Sequence, residues 1–191
     1  MLPRLRSTFV SRWILVTLVA SLVAAVDGGW LASWASLAPS RIVRGELWRL
    51  VTWPLVEQGP LQLVLTCIAI YKFGGELAIR WGDRRLRRFV VEIALAAGVL
   101  TTVLAVVVGT SYMRRVGGWA MADALVIAWA RQFPDATLVL YGLLSLRGRE
   151  LINVTIAVAI VFAVFVGPVW MAPELFACLV AARYPSALLR R

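Results

Sequence analysis

The stretch 117–130, GGWAMADALVIAWA, decides how the rest of the chain is read. Two glycines open an apolar run of helix-forming residues. Ala120, Ala124 and Ala128 recur every fourth position and so share one helix face. A single carboxylate, Asp123, lies inside the run. Small residues at this spacing let helix backbones approach closely in lipid, where van der Waals packing drives association. Ala177 and Ala181 repeat the spacing near the C-terminus, with Cys178 and Ala182 beside them. Both runs therefore offer a face suited to close helix packing.

The sequence around this helix is that of a membrane protein. The chain has 191 residues, of which 61% are hydrophobic, and its mean hydropathy is +0.84. A soluble domain of this size cannot hide so much apolar surface, so membrane residence follows. The formal net charge is +10, and Lys72 is the only basic residue that is not arginine. The arginines flank apolar runs, as expected of membrane flanks near anionic headgroups rather than of a nucleic-acid-binding face. The Arg, Ala, Val and Leu bias points to a GC-rich bacterial genome, and thus to a bacterial cytoplasmic membrane.

Six apolar runs are expected to be helical: about 13–30, 60–80, 89–108, 116–130, 151–169 and 170–187. The fourth and sixth are short for a span and fit best where neighbours shield them from lipid. The first, preceded by Arg4, Arg6 and Arg12, resembles a signal peptide but continues without a small-residue cleavage site, so it reads as a retained helix. Between the runs lie a long Trp- and Arg-bearing loop at 31–59, a basic turn at 81–88 and a mixed loop at 131–150. Within that last loop, LVLYGLLSL (138–146) would suit the membrane interface. With the N-terminus inside, the inner flanks collect Arg4, Arg6, Arg12, Arg80, Arg84, Arg85, Arg87, Arg88, Arg131, Arg147, Arg149, Arg183, Arg190 and Arg191. The outer side holds Arg41, Arg44, Arg49, Arg114 and Arg115. This imbalance favours both termini inside. The expected architecture is a single all-α, six-helix membrane domain over 1–191.

The segment RGELWRLVTWPLVEQGPLQLVLTCIAIYKFGGELAIRWG (44–82) resembles the rhomboid superfamily. The resemblance rests on Trp48-Arg49 in a long loop, the Gly74-Gly75 pair, Gly82 after six intervening residues, and the order of six apolar runs. It implies that Trp48 and Arg49 fix the loop onto the bundle, and that an active member would be an intramembrane serine protease. Each catalytic place is changed here. The His and Asn places of the second helix fall near Gln62 and Thr66. The Gly-x-Ser-Gly place holds Gly117-Gly118-Trp119-Ala120-Met121, so Trp119 or Ala120 stands for the serine. The base of the sixth helix falls near Met171 or Pro173. The resemblance therefore points to a pseudoprotease, like the non-proteolytic derlins.

Elementary chemistry agrees. A serine hydroxyl needs a neighbouring base, and the chain has no histidine. The remaining option, a Ser–Lys pair, would need Lys72, which lies four residues before Glu76 and is expected to pair with it. Cys67 and Cys178 lie in apolar runs and read as buried small residues. With no histidine, no paired cysteines and no phosphate loop, no metal, cofactor or nucleic acid is expected. Asp123 in a span demands a partner: Arg114, Arg115 or a neighbouring backbone group within the chain, or else a polar group of a client helix. Glu92 is within reach of Arg88, and Glu174 suits the positive start of the sixth helix.

The function expected from these observations is binding of transmembrane segments of other proteins, as an assembly, scaffolding or stabilising subunit of a hetero-complex. The candidates for a structural or partner-contact role are Trp48, Arg49, Gly74, Gly75, Ala120, Asp123, Ala124, Ala128, Glu174, Ala177 and Ala181. Membrane lipids are the other expected partners. A channel or transporter using Lys72, Glu76 and Asp123 is the alternative, although the spans show no inverted repeat. An active intramembrane protease ranks below it.

Overall fold

The computed structural model describes residues 7–140 and 144–184. The chain is mostly helical, with ten α-helices and one two-stranded hairpin among the described residues. Helix α1 (Thr8–Val26) is followed by three short helices, α2 (Trp30–Ala35), α3 (Pro39–Ile42) and α4 (Arg49–Thr52), and by a 3₁₀ turn at Trp53–Leu55. Helix α5 (Pro60–Ala69) continues through a π turn at Ile70–Gly74 into α6 (Gly75–Trp81). Then come α7 (Asp83–Val107), α8 (Trp119–Gln132), strands β1 (Thr137–Leu140) and β2 (Leu144–Arg147), α9 (Gly148–Val166) and α10 (Ala172–Arg183).

Four segments are long and apolar enough to cross a membrane: Thr8–Val26, Pro60–Trp81, Asp83–Val107 and Gly148–Val166. They carry large apolar side chains on the outside, such as Val107 at 78% exposure and Phe165 at 85%. Such surface is stable against hydrocarbon and unstable against water. Helix α8 is the reverse case. Ala120, Leu125, Ile127 and Ala130 are fully buried, and the helix packs most extensively against α10. Ala124 and Ala128 of α8, and Ala177, Cys178 and Ala181 of α10, lie in the same buried core. With 14 and 12 residues, α8 and α10 measure about 21 and about 18 Å, short of the roughly 30 Å hydrocarbon core. The six expected spans thus become four helices of spanning length and two short ones enclosed between them.

Two ends of the bundle can be told apart. At one end α1 and α7 begin together. Asp83 accepts hydrogen bonds from the Ser7 hydroxyl (2.6 Å), the Thr8 hydroxyl (3.0 Å) and the Phe9 amide (3.0 Å). It thereby ties the first turn of α1 to the first turn of α7. At the opposite end the segment 30–59 folds over the bundle. Its fastener is Arg49, which is 1% exposed. The Arg49 guanidinium pairs with Glu46 at 2.6 Å and donates to the Ser33 and Ser36 carbonyls at 2.7 and 2.9 Å. Trp48 remains half exposed and stacks on Trp34, ring centroids 5.8 Å apart. Leu37 and Arg115 exchange backbone hydrogen bonds of 2.7 and 3.0 Å, which stitches this cap to the loop leading into α8.

Several expectations need correction. The chain is not all-α: 137–140 and 144–147 pair antiparallel, Thr137 opposite Arg147 and Leu140 opposite Leu144. Residues 141–143, the middle of the expected interfacial stretch, lie outside the described residues, as do Arg4, Arg6, Arg190, Arg191 and the end of the expected sixth helix. The basic turn at 81–88 is almost all helix. Gly82, at φ +81°, breaks the chain, and α7 starts at once with Asp83 in its first turn. The first helix starts earlier than expected and ends at Val26, where Asp27 and the left-handed Gly28-Gly29 stop it. The loop 31–59 contains α3, α4 and most of α2 rather than irregular chain. Lys72 does not pair with Glu76. The π turn alters the helical register there, and Glu76 accepts the Trp129 indole N–H at 2.5 Å instead.

Candidate functional site

The polar groups of the bundle converge where α8 begins. Gly118 is the N-cap of α8, so its amide is one of the donors left without an intrahelical acceptor. That donor goes to Glu57 Oε1 at 2.7 Å. The Thr66 hydroxyl on α5 donates to the same oxygen at 2.6 Å. The Glu57 amide in turn donates to Ser21 Oγ on α1 at 2.9 Å, and the Ser21 hydroxyl donates to the Thr17 carbonyl at 2.6 Å. Glu57 therefore joins α5 and α8 through its carboxylate and α1 through its backbone amide. A negative charge at the positive end of a helix is electrostatically favourable.

The fit around this carboxylate is tight. A Cβ on Gly118 would stand 2.7 Å from Thr66 Cγ2, 2.9 Å from Glu57 Oε1 and 3.2 Å from the Pro54 carbonyl. Glycine is required by this close approach. Glu57 is 5% exposed. Burial pushes its carboxyl above the ordinary glutamate range, against the opposing pull of the Thr66 and Gly118 hydrogen bonds and with a smaller push from Glu174.

A second pair lies alongside. Arg115 reaches Glu174 Oε1 at 2.7 Å, and its guanidinium carbon stands 6.0 Å from the centre of the Trp170 ring. Glu174 is 7% exposed, and its Oε2 is buried without a hydrogen-bond partner among the described residues. This overturns the expected arginine partner of Asp123. Arg115 is taken by Glu174 and Arg114 by Ser33 Oγ at 3.1 Å. Glu92 does meet Arg88, at 2.6 Å, and also accepts the Tyr184 hydroxyl at 2.5 Å.

The remaining candidates are dispersed. Of the four places compared with catalytic residues, the structure brings Thr66 and the Gly118–Ala120 turn together. Gln62 is exposed, Trp119 points outward at 39% exposure, and Met171 is the N-cap of α10. Gly74 lies buried near Leu125 and Val10, whereas Gly75 has open space beside it. Among the described residues no three carboxylates or thiols are grouped to hold a metal.

Glu57 was missed by the sequence reading, which treated 31–59 as one amphipathic loop. Its signal was the context TWPLVEQGP: a lone carboxylate amid apolar residues, just before a proline that starts a helix. Chemically, the arrangement is a closed clamp. The helix-end donor and the adjacent hydroxyl already serve an internal acceptor.

No curated protein matches the chain. A family model described as "Eukaryotic integral membrane protein (DUF1751)" matches residues 8–184. That description overturns the bacterial cytoplasmic membrane expected from composition, because codon-driven amino-acid bias reports on a genome and not on a compartment. The chain belongs to this family of eukaryotic integral membrane proteins.

Proposed function

We propose that the chain is a catalytically inactive, rhomboid-like membrane protein that binds transmembrane helices of partner proteins and stabilises or assembles a larger membrane complex. In this reading its termini share the inner side, and α8 and α10 complete six membrane-level helices. The observation that carries the proposal is the Glu57 clamp. In a rhomboid protease the head of the corresponding helix presents a serine beside free hydrogen-bond donors. Here the Gly118 amide and the Thr66 hydroxyl are both held by Glu57. An oxyanion would have to displace a buried carboxylate of its own charge sign, and no histidine exists in the chain to activate a hydroxyl. What remains is a scaffold with a large apolar exterior and the in-span carboxylate Asp123.

Two measurements test this. The first incubates the purified chain with a fluorogenic transmembrane peptide. Turnover no greater than that of a detergent blank is expected, and turnover above it would refute the loss of catalysis. The second purifies the chain from its host in mild detergent with a photo-crosslinker at position 123. Crosslinks to other membrane chains are expected. A monomer crosslinked only to lipid would refute the binding role.

A further inference from the structure

A groove of about 240 Å³ runs between α1 and α7. It begins at Arg12 and Arg87, near the end where both helices start, and reaches Pro54 and Met121 beneath the head of α8. Apart from the two guanidinium groups, its lining side chains are apolar. Val16 and Val91, at 48% and 36% exposure, leave it open to the side, where lipid lies. The Asp83 hydrogen bonds to Ser7, Thr8 and Phe9 set the spacing of the two helices at its mouth.

Lining and charge choose the occupant. From Arg87 to Ala94, both of which line the groove, the rise along α7 is about 10 Å. An extended acyl chain of that length can lie along the slot, with its apolar walls on either side. At the mouth, Arg12 and Arg87 are exposed, and among the described residues neither has a carboxylate within ion-pair distance. Two unpaired guanidinium groups above an apolar slot match a phosphate above an acyl chain.

We propose that this groove is a binding site for an anionic glycerophospholipid of the adjacent leaflet, with its phosphate held by Arg12 and Arg87 and one acyl chain lying between α1 and α7. The site is separate from the Glu57 clamp and does not depend on whether the chain binds partner helices.

The test is native mass spectrometry of the full chain in detergent, titrated with palmitoyl-oleoyl phosphatidylserine or phosphatidylcholine. One phosphatidylserine is expected to be retained in preference to phosphatidylcholine. The double variant Arg12→Gln/Arg87→Gln is expected to bind about thirtyfold more weakly, about fivefold per arginine. Arg84→Gln/Arg85→Gln removes the same charge from exposed positions outside the groove and is expected to leave retention unchanged. Val16→Trp fills the slot with both arginines intact and is expected to abolish retention. Equal retention of both lipids, equal weakening by the Arg84/Arg85 pair, or full retention by Val16→Trp would each overturn the proposal. A photo-crosslinker at position 16 that captured a protein chain instead of lipid would overturn it too.

Discussion

Replacing Glu57 with alanine removes the acceptor that joins α5 to the head of α8 and leaves the backbone link to α1 in place. The Gly118 amide and the Thr66 hydroxyl, now 2.7 and 2.6 Å from Glu57 Oε1, would lose their partner inside a packed site. Each buried donor left unsatisfied costs about 1–3 kcal/mol, so the gross loss is about 2–6 kcal/mol. Part of this is offset, because the variant no longer buries a carboxylate whose charged form the site disfavours. A net loss of about 2–4 kcal/mol follows, equivalent to a fall in melting temperature of roughly 4–16 °C for a chain of this size. Tryptophan fluorescence during thermal unfolding in detergent reads it directly. Glu57→Gln keeps Oε1 as acceptor for both donors and should stay within about 1 kcal/mol of the parent. The pH dependence separates the two explanations. A carboxyl whose folded pKa is raised contributes stability that is fully present below its unfolded pKa and is lost as pH rises through the folded value. The parent should therefore gain melting temperature, relative to Glu57→Gln, as pH falls from neutral toward the ordinary glutamate range. An alanine variant that melts with the parent, a glutamine variant as weak as alanine, or identical pH profiles for parent and glutamine would refute the clamp.

Gly118→Ala should destabilise by about 1–3 kcal/mol through overpacking, and adding Thr66→Ser, which removes the nearest methyl, should restore part of the loss in the same melting assay. Ala124→Leu forces a larger side chain into a fully packed position of α8 and should lower stability by a similar amount. A neutral result would argue against tight α8–α10 packing. Arg49→Lys should expose the 30–59 cap to limited proteolysis, because an ammonium cannot reproduce the fork that serves Glu46, Ser33 and Ser36 together. Arg131→Gln removes the cation that donates to the Ala181 and Tyr184 carbonyls at the end of α10, and about 1–2 kcal/mol should disappear with it.

What the sequence determined by itself is what depends on local pattern. Membrane residence follows from hydrophobic content, because no soluble core could absorb it. The Arg88–Glu92 pair follows from helical spacing alone. The shortness of the helix at GGWAMADALVIAWA and its small-residue face are also local properties. What the tertiary structure decided depends on approach between distant segments. Glu57 lies 61 residues from Gly118, and no periodicity links a loop carboxylate to a helix start that far along the chain. Arg115 pairs with Glu174, 59 residues away, rather than with Asp123, a choice that depends on how the loop before α8 meets α10. The strand pair 137–140 and 144–147 formed because two short segments could pair with each other, a preference invisible in either alone. The glycines of the opening stretch show the division. Their sequence announces a tight approach, and only the fold reveals that what approaches Gly118 is a carboxylate.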